Sequence, residues 1–158
     1  MSIPVVADAD TLFSATTRGL LIYLNYRDLI KLHWSQLILD EVSRALVDTG
    51  RKNTLADAKA HELRMCNALP NAMVATAQVR AQFQAVEVAV NSPKDIHVAA
   101  CAYCLIASDA YSGTEAAVLL TRNTKDFKKG ALAKWGIALS KPDVFLYRLF
   151  EMSRQIWS

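Results

Sequence analysis

Ile3-Pro4-Val5-Val6-Ala7-Asp8-Ala9-Asp10 opens the chain with five apolar residues that give way abruptly to acids. A short apolar, β-branched run without polar alternation reads as a strand covered on both faces, the kind found in parallel sheets. Working outward, Thr11 to Asp28 carries Leu12, Phe13, Leu20, Leu21 and Leu24 and reads as a helix. Leu29 to Trp34 reads as a second short strand. Ser35 suits an N-cap before a helix over Gln36 to Asp48, with Leu39, Val42 and Leu46 on one face. Gly50 follows as the residue that closes it.

Leu55 to Leu69 and Ala72 to Ala85 read as two more helices around Pro70-Asn71. Val86 to Val90 fits a strand or a linker equally. Asn91-Ser92-Pro93 breaks the pattern, and Asp95 to Ala107 is apolar almost all round, as a central buried helix would be. Ala116 to Leu120 and Ile137 to Leu139 read as strands, and Lys141-Pro142-Asp143 opens a last helix through Phe150. Strands alternating with helices predict an α/β fold: a mostly parallel sheet with helices on both faces. Sheets of this kind bind ligands at the carboxyl ends of their strands.

Bulk composition agrees. A chain of 158 residues that is 53% apolar and 21% charged can bury one sizeable core, so a single domain over 1–158 is expected and global disorder is excluded. The net charge of +3, from 18 basic and 15 acidic residues, is too small to mark a nucleic-acid binder by itself. Cys66, Cys101 and Cys104 are an odd number in a chain with enough apolar residues to fold without staples. The first eight residues lack the basic stretch of a secretory signal. Val98 to Ala107 is about half the length of a bilayer-spanning helix. A soluble cytoplasmic protein with no membrane association is expected.

The acids carry the functional expectation. Asp8 and Asp10 fall where the first strand ends, Asp95 opens the buried helix, and Asn123 and Asp126 follow the strand over Ala116 to Leu120. Glu41 lies at the edge of an apolar helix face. Singly, each has a structural reading as a helix cap or a solvated charge. Jointly, a parallel sheet gathers Asp8, Asp95, Asn123 and Asp126 at one rim. Clustered carboxylates repel one another, and a divalent cation relieves the repulsion. Oxygen-only ligands suit Mg²⁺ or Mn²⁺, which keep waters that a substrate phosphate can replace.

Val5-Val6-Ala7-Asp8-Ala9-Asp10-Thr11-Leu12, Ser35-Gln36-Leu37-Ile38-Leu39-Asp40-Glu41-Val42, Asp95-Ile96-His97-Val98-Ala99-Ala100 and Leu120-Thr121-Arg122-Asn123-Thr124-Lys125-Asp126-Phe127 resemble, in order and spacing, the motif series of the PIN-domain family, and within it the VapC-like toxins of toxin–antitoxin pairs. The resemblance implies a three-layer α/β/α sandwich and a metal-dependent endoribonuclease. It implies Asp8, Glu41, Asp95 and Asp126 as ligands of Mg²⁺ or Mn²⁺, Asn123 as the polar member of the fourth corner, and Thr121 as the hydroxyl that orders it. It also implies an RNA substrate and an antitoxin partner. Two features depart from the family pattern: Asp10 stands where a small polar residue is usual, and the connection 108–115, with Asp109 and Glu115, is long.

Other readings compete. Asp8-Ala9-Asp10-Thr11 also resembles the haloacid dehalogenase-like phosphatases, but Leu12 stands where those enzymes need Thr or Val. The fold could also serve as a non-catalytic module that binds nucleic acid or a partner, although a retired site has no reason to keep mutually repelling acids. Cys101-Ala102-Tyr103-Cys104 lacks a second ligand pair for zinc and lies mid-helix, so buried small side chains are expected. His97 is expected as a partnered interior or rim side chain. Arg122, Lys125, Lys128 and Lys129, with Lys134, lie beside Asn123 and Asp126, where they are candidates for holding RNA phosphates. Arg44, Arg51 and Lys52 are candidate additions. Phe145, Leu149, Ile156 and Trp157 repeat at helical spacing and are expected to pack on the core, with any exposed part available for a homodimer or an inhibitor peptide.

Overall fold

Strand β1 (Ile3–Ala7) stands at the centre of a five-stranded sheet and pairs in parallel on both edges. The computed structural model describes residues 2–107 and 115–157, with the side chains of 155–157 undescribed. Asp109 and most of the 108–115 connection therefore lie outside the described residues, as do the side chains of Ile156 and Trp157.

Proline is unusual in a central strand because it cannot donate to the ladder. Asp8 donates its backbone N–H to Leu120, so the even positions of this strand face that neighbour. Pairing on that side begins only at Val5 with Val118, so Pro4 forfeits no ladder bond.

In chain order the elements are β1, α1 (Ala9–Phe13), α2 (Ala15–Tyr26), β2 (Ile30–Ser35), α3 (Gln36–Asp48), α4 (Leu55–Ala68), β3 (Met73–Val74), α5 (Thr76–Ala81), α6 (Phe83–Val86), α7 (Ile96–Ala107), β4 (Ala117–Leu120), α8 (Lys129–Lys134), β5 (Ile137–Ser140) and α9 (Pro142–Trp157). The sheet order is β3-β2-β1-β4-β5, parallel throughout, with helices flanking it as a three-layer α/β/α sandwich. Successive strands build outward from β1 to β2 and β3, then cross back to β4 and β5. The sheet's topological switch point therefore lies between β1 and β4.

Local sequence explains most boundaries. Ser35 caps α3 by accepting from the N–H of Ile38, and Ile38, Leu39, Val42 and Leu46 are buried on one face. Gly50 takes φ +77°, which glycine adopts without strain. α7 is buried nearly all round, and its alanines allow close packing on β1 and β4.

Three expectations need correction, and one open stretch is resolved. Thr11 to Asp28 is not one helix: Ser14 is extended and its hydroxyl caps α2 by accepting from Thr17. The signal lay in Ser14, a residue whose hydroxyl suits an N-cap. Ala72 to Ala85 holds a two-residue strand and two short helices, because Met73 and Val74 are captured by Trp34 and Ser35 of β2. The undecided Val86 to Val90 is mostly a 3-10 turn, with Val90 bridging Phe127. The last helix runs on past Phe150 to Trp157, and the short α8 is an element that the sequence pattern does not announce. Among the described residues no helix is long and apolar enough to cross a membrane.

Candidate functional site

The carboxyl ends of β1 and β4 meet at the switch point, and two acids and a hydroxyl are locked together there. Asp8 caps α1 with Oδ1, which accepts from the N–H of Ala9 at 2.7 Å. Its Oδ2 lies 3.0 Å from the hydroxyl of Thr121, which is fully buried. The same hydroxyl is 3.2 Å from Oδ2 of Asp10 and accepts from the N–H of Asn123. One hydroxyl hydrogen serves one carboxylate at a time.

Asp10 is committed to the chain after β4. It accepts from the N–H of Arg122 at 3.0 and 3.2 Å and from Nδ2 of Asn123 at 3.0 Å. The Asn123 amide thus serves the β1 side of the cleft rather than standing only beside Asp126. Asp10 is a strut that holds the β4 loop against α1.

Glu41 projects from α3, one step round from the buried Leu39 and Val42. Its Oε1 lies 2.6 Å from Nε2 of His97 in the first turn of α7. Asp95 ends the 3-10 turn that leads into α7, and Asp126 ends a similar turn after β4. A zipper of backbone bonds brings these two turns together. Asn91 donates its N–H to Asp126 and its Nδ2 to the carbonyl of Lys125, while Lys128 donates its N–H to Ala89.

The result is an open cleft of about 460 Å³ lined by Asp8, Asp10, Glu41, Asp95, Asn123 and Asp126, together with Asp48, Arg44 and Lys94. Thr121 lies beneath it. Electrostatics links the acids in a row. Burial, with Asp10 and more weakly Glu41, pushes the Asp8 carboxyl up to about 7, against the pull of the Ala9 N–H and the Thr121 hydroxyl. Burial also raises Asp95, with Asp126 and Glu41 adding to it and Lys94 and His97 opposing. Glu41 is the carboxylate that both ends feel.

Among the described residues, Oδ2 of Asp95 is buried without a hydrogen-bond partner. An unpaired buried carboxylate oxygen is costly, and a cation would satisfy it. Among the described residues no three His, Cys, Asp or Glu side chains stand close enough to form a ready-made metal cage. The donor set instead fits a cation that keeps most of its waters and takes one or two carboxylates directly, the habit of Mg²⁺.

Arg122, Lys125, Lys128 and Lys129 are exposed beside the cleft but do not line it. The cations inside it are Arg44 and Lys94. Lys94 escaped the sequence reading, although it stands next to Asp95; Arg44 and Asp48 follow Glu41 at helical spacing. Arg51 instead stacks 4.4 Å over the Phe13 ring. Cys101 is fully buried with its thiol pushed far up by desolvation, and Cys104 donates to the carbonyl of Gln78, so both are packing residues. Compared with models of known families and with curated proteins, the chain finds no match.

Proposed function

We propose that this chain is a Mg²⁺- or Mn²⁺-dependent endoribonuclease of PIN-like type, with Asp8, Glu41, Asp95 and Asp126 as the cation ligands. One observation carries the reading: carboxylates from four separate segments line one cleft, where two of them are held above the ordinary carboxylate range. Such clustering is unfavourable unless a cation or a reaction uses it. A bound divalent cation supplies Lewis-acid stabilisation of phosphodiester charge and a more acidic water.

The chain's own residues do the rest. Thr121 and the Ala9 N–H fix both oxygens of Asp8. Asp10 holds the β4 loop, and with it Asn123, over the cleft. Asp95, whose carboxyl is raised by burial and by Asp126, is our candidate for taking the proton of the attacking water. Arg44 and Lys94 neutralise phosphates within the cleft, and Arg122, Lys125, Lys128 and Lys129 extend the track along one side. No base-reading module accompanies them, so the RNA is held by its backbone.

The toxin role, the antitoxin partner, a homodimer and a cytoplasmic setting belong to the same proposal and rest on the motif resemblance. Exposed Tyr147, Phe150 and Met152 on α9 are candidate contacts for a partner. The test is cleavage of single-stranded RNA in Mn²⁺ by the wild-type protein and by Asp8→Asn. Cleavage lost with Asp8→Asn and with chelator supports the reading. Cleavage undiminished by either overturns it. RNA binding without cleavage favours a non-catalytic module, and turnover of a phosphate monoester favours a phosphatase.

A further inference from the structure

His97 and Glu41 are joined across 56 positions of sequence by a bond of 2.6 Å that ties the first turn of α7 to the middle of α3. The histidine side chain is 11% exposed and the glutamate 38%. An ionised carboxylate can only accept, so Nε2 of His97 carries the hydrogen and donates it. Among the described residues, Nδ1 of the same ring is buried without a hydrogen-bond partner. The ring therefore has this one directional tie, and packing of α7 sets where it points.

A half-exposed glutamate samples many rotamers, and fixing it costs side-chain entropy. The His97 bond meets that cost in the folded protein, before any ligand arrives. It engages Oε1 only; among the described residues Oε2 of Glu41 makes no hydrogen bond. We infer that His97 is a positioning residue that holds Glu41 with Oε2 directed to a divalent cation in the cleft. This rests on the cation-dependent reading proposed above. Residues that orient ligands typically change metal affinity about 10- to 100-fold when removed.

The test is Mn²⁺ binding by titration calorimetry on the whole chain, with thermal melting in chelator as the control. His97→Ala should weaken Mn²⁺ binding at least tenfold. His97→Gln, whose Nε2 can reach the same donor position, should recover most of it. A purely structural role would lower the melting temperature in chelator and leave the affinity of the folded protein unchanged. Should His97→Ala not fold, His97→Asn, whose amide stops short of Glu41, takes its place. Mn²⁺ binding that is unchanged in the alanine or asparagine variant, or equally weak in Gln and Ala, overturns the positioning role and leaves the cation site standing. No Mn²⁺ binding by the wild-type protein overturns the cation site, and the positioning role with it.

Discussion

The hydroxyl of Thr121, the first residue after β4, lies 3.0 Å from Oδ2 of Asp8, the first residue after β1. Both ends of the switch point are therefore fixed by one buried hydrogen bond, and the same hydroxyl reaches Asp10. Replacing Thr121 by Val keeps the shape and removes the donor. The variant should lose about 1–3 kcal/mol of stability where Asp8 is ionised, because that buried carboxylate is left without its donor. The loss should be larger at pH 8 than at pH 5, and Thr121→Ser should restore most of it. Urea unfolding at the two pH values checks this; an unchanged midpoint for Thr121→Val would contradict it.

Asp8 makes the metal-free protein sensitive to pH in a stated direction. Its folded pKa of about 7 lies above the unfolded value of 3.8. Between these values the native state keeps a proton that the unfolded chain has released, so stability falls as pH rises through this window and levels off above it. The fall from this group alone is about 4 kcal/mol. Asp95, raised for similar reasons, contributes with the same sign. In chelator, Asp8→Asn should flatten the slope and exceed the wild type in stability at pH 8. Chemical denaturation from pH 4 to 8 measures it; a wild type that gains stability over this range would contradict the assignment.

Linkage narrows that difference once Mn²⁺ is present. At 100 times its dissociation constant the ion should stabilise the wild type by about 2.7 kcal/mol. It should leave Asp8→Asn nearly unchanged. Binding should strengthen from pH 6 to pH 8 as Asp8 loses its proton. Melting temperature against Mn²⁺ concentration reads all three effects.

Asp10 separates structure from chemistry within the acidic set. Its oxygens accept from Arg122, Asn123 and Thr121, so Asp10→Asn should cost about 1–3 kcal/mol of stability while Mn²⁺ binding by the folded fraction survives. Glu41→Gln, Asp95→Asn and Asp126→Asn should each lower Mn²⁺-dependent cleavage by about 100-fold or more at little cost in fold. The reverse pattern, with Asp10 essential for ion binding and Asp126 dispensable, would contradict these roles.

Lys128 and Lys129 lie outside the cleft, so their removal should weaken RNA binding without abolishing cleavage at saturation. Each lost phosphate contact should reduce the slope of log affinity against log salt by about 0.7 for a single strand. Filter binding of Lys128→Ala/Lys129→Ala across a salt series checks it; an unchanged slope removes both lysines from the track.

Much of this arrangement was legible in the sequence, for identifiable reasons. β1 declared itself because strands covered on both faces must be apolar throughout, and Asp8 marked its end. α3 was bounded by Ser35 and Gly50, residues whose preferences are local. The helix over 11–28 failed because the hydroxyl of Ser14 could cap a second helix, and a period count over Leu12 and Leu21 does not register that break. β3 was hidden because two residues carry no periodicity; their strand character comes from Trp34 and Ser35. In the site, Asp8, Asp95 and Asp126 could be marked from strand and helix ends; Glu41, inside α3, stood out only as an acid at the edge of an apolar face, and the ligand roles of all four rested on the motif resemblance. The commitment of Asn123 to Asp10 could not be read this way, because it joins the loop after β4 to α1. That contact joins segments distant in sequence and has no local signature.

The most direct test is anomalous diffraction from crystals of the wild-type protein soaked in Mn²⁺. The expected result is a peak inside the cleft, within coordinating or water-bridged reach of Asp8, Glu41, Asp95 and Asp126, that vanishes in Asp8→Asn. A cleft without a peak, or a peak elsewhere with the cleft empty, would contradict the cation site and the nuclease built on it.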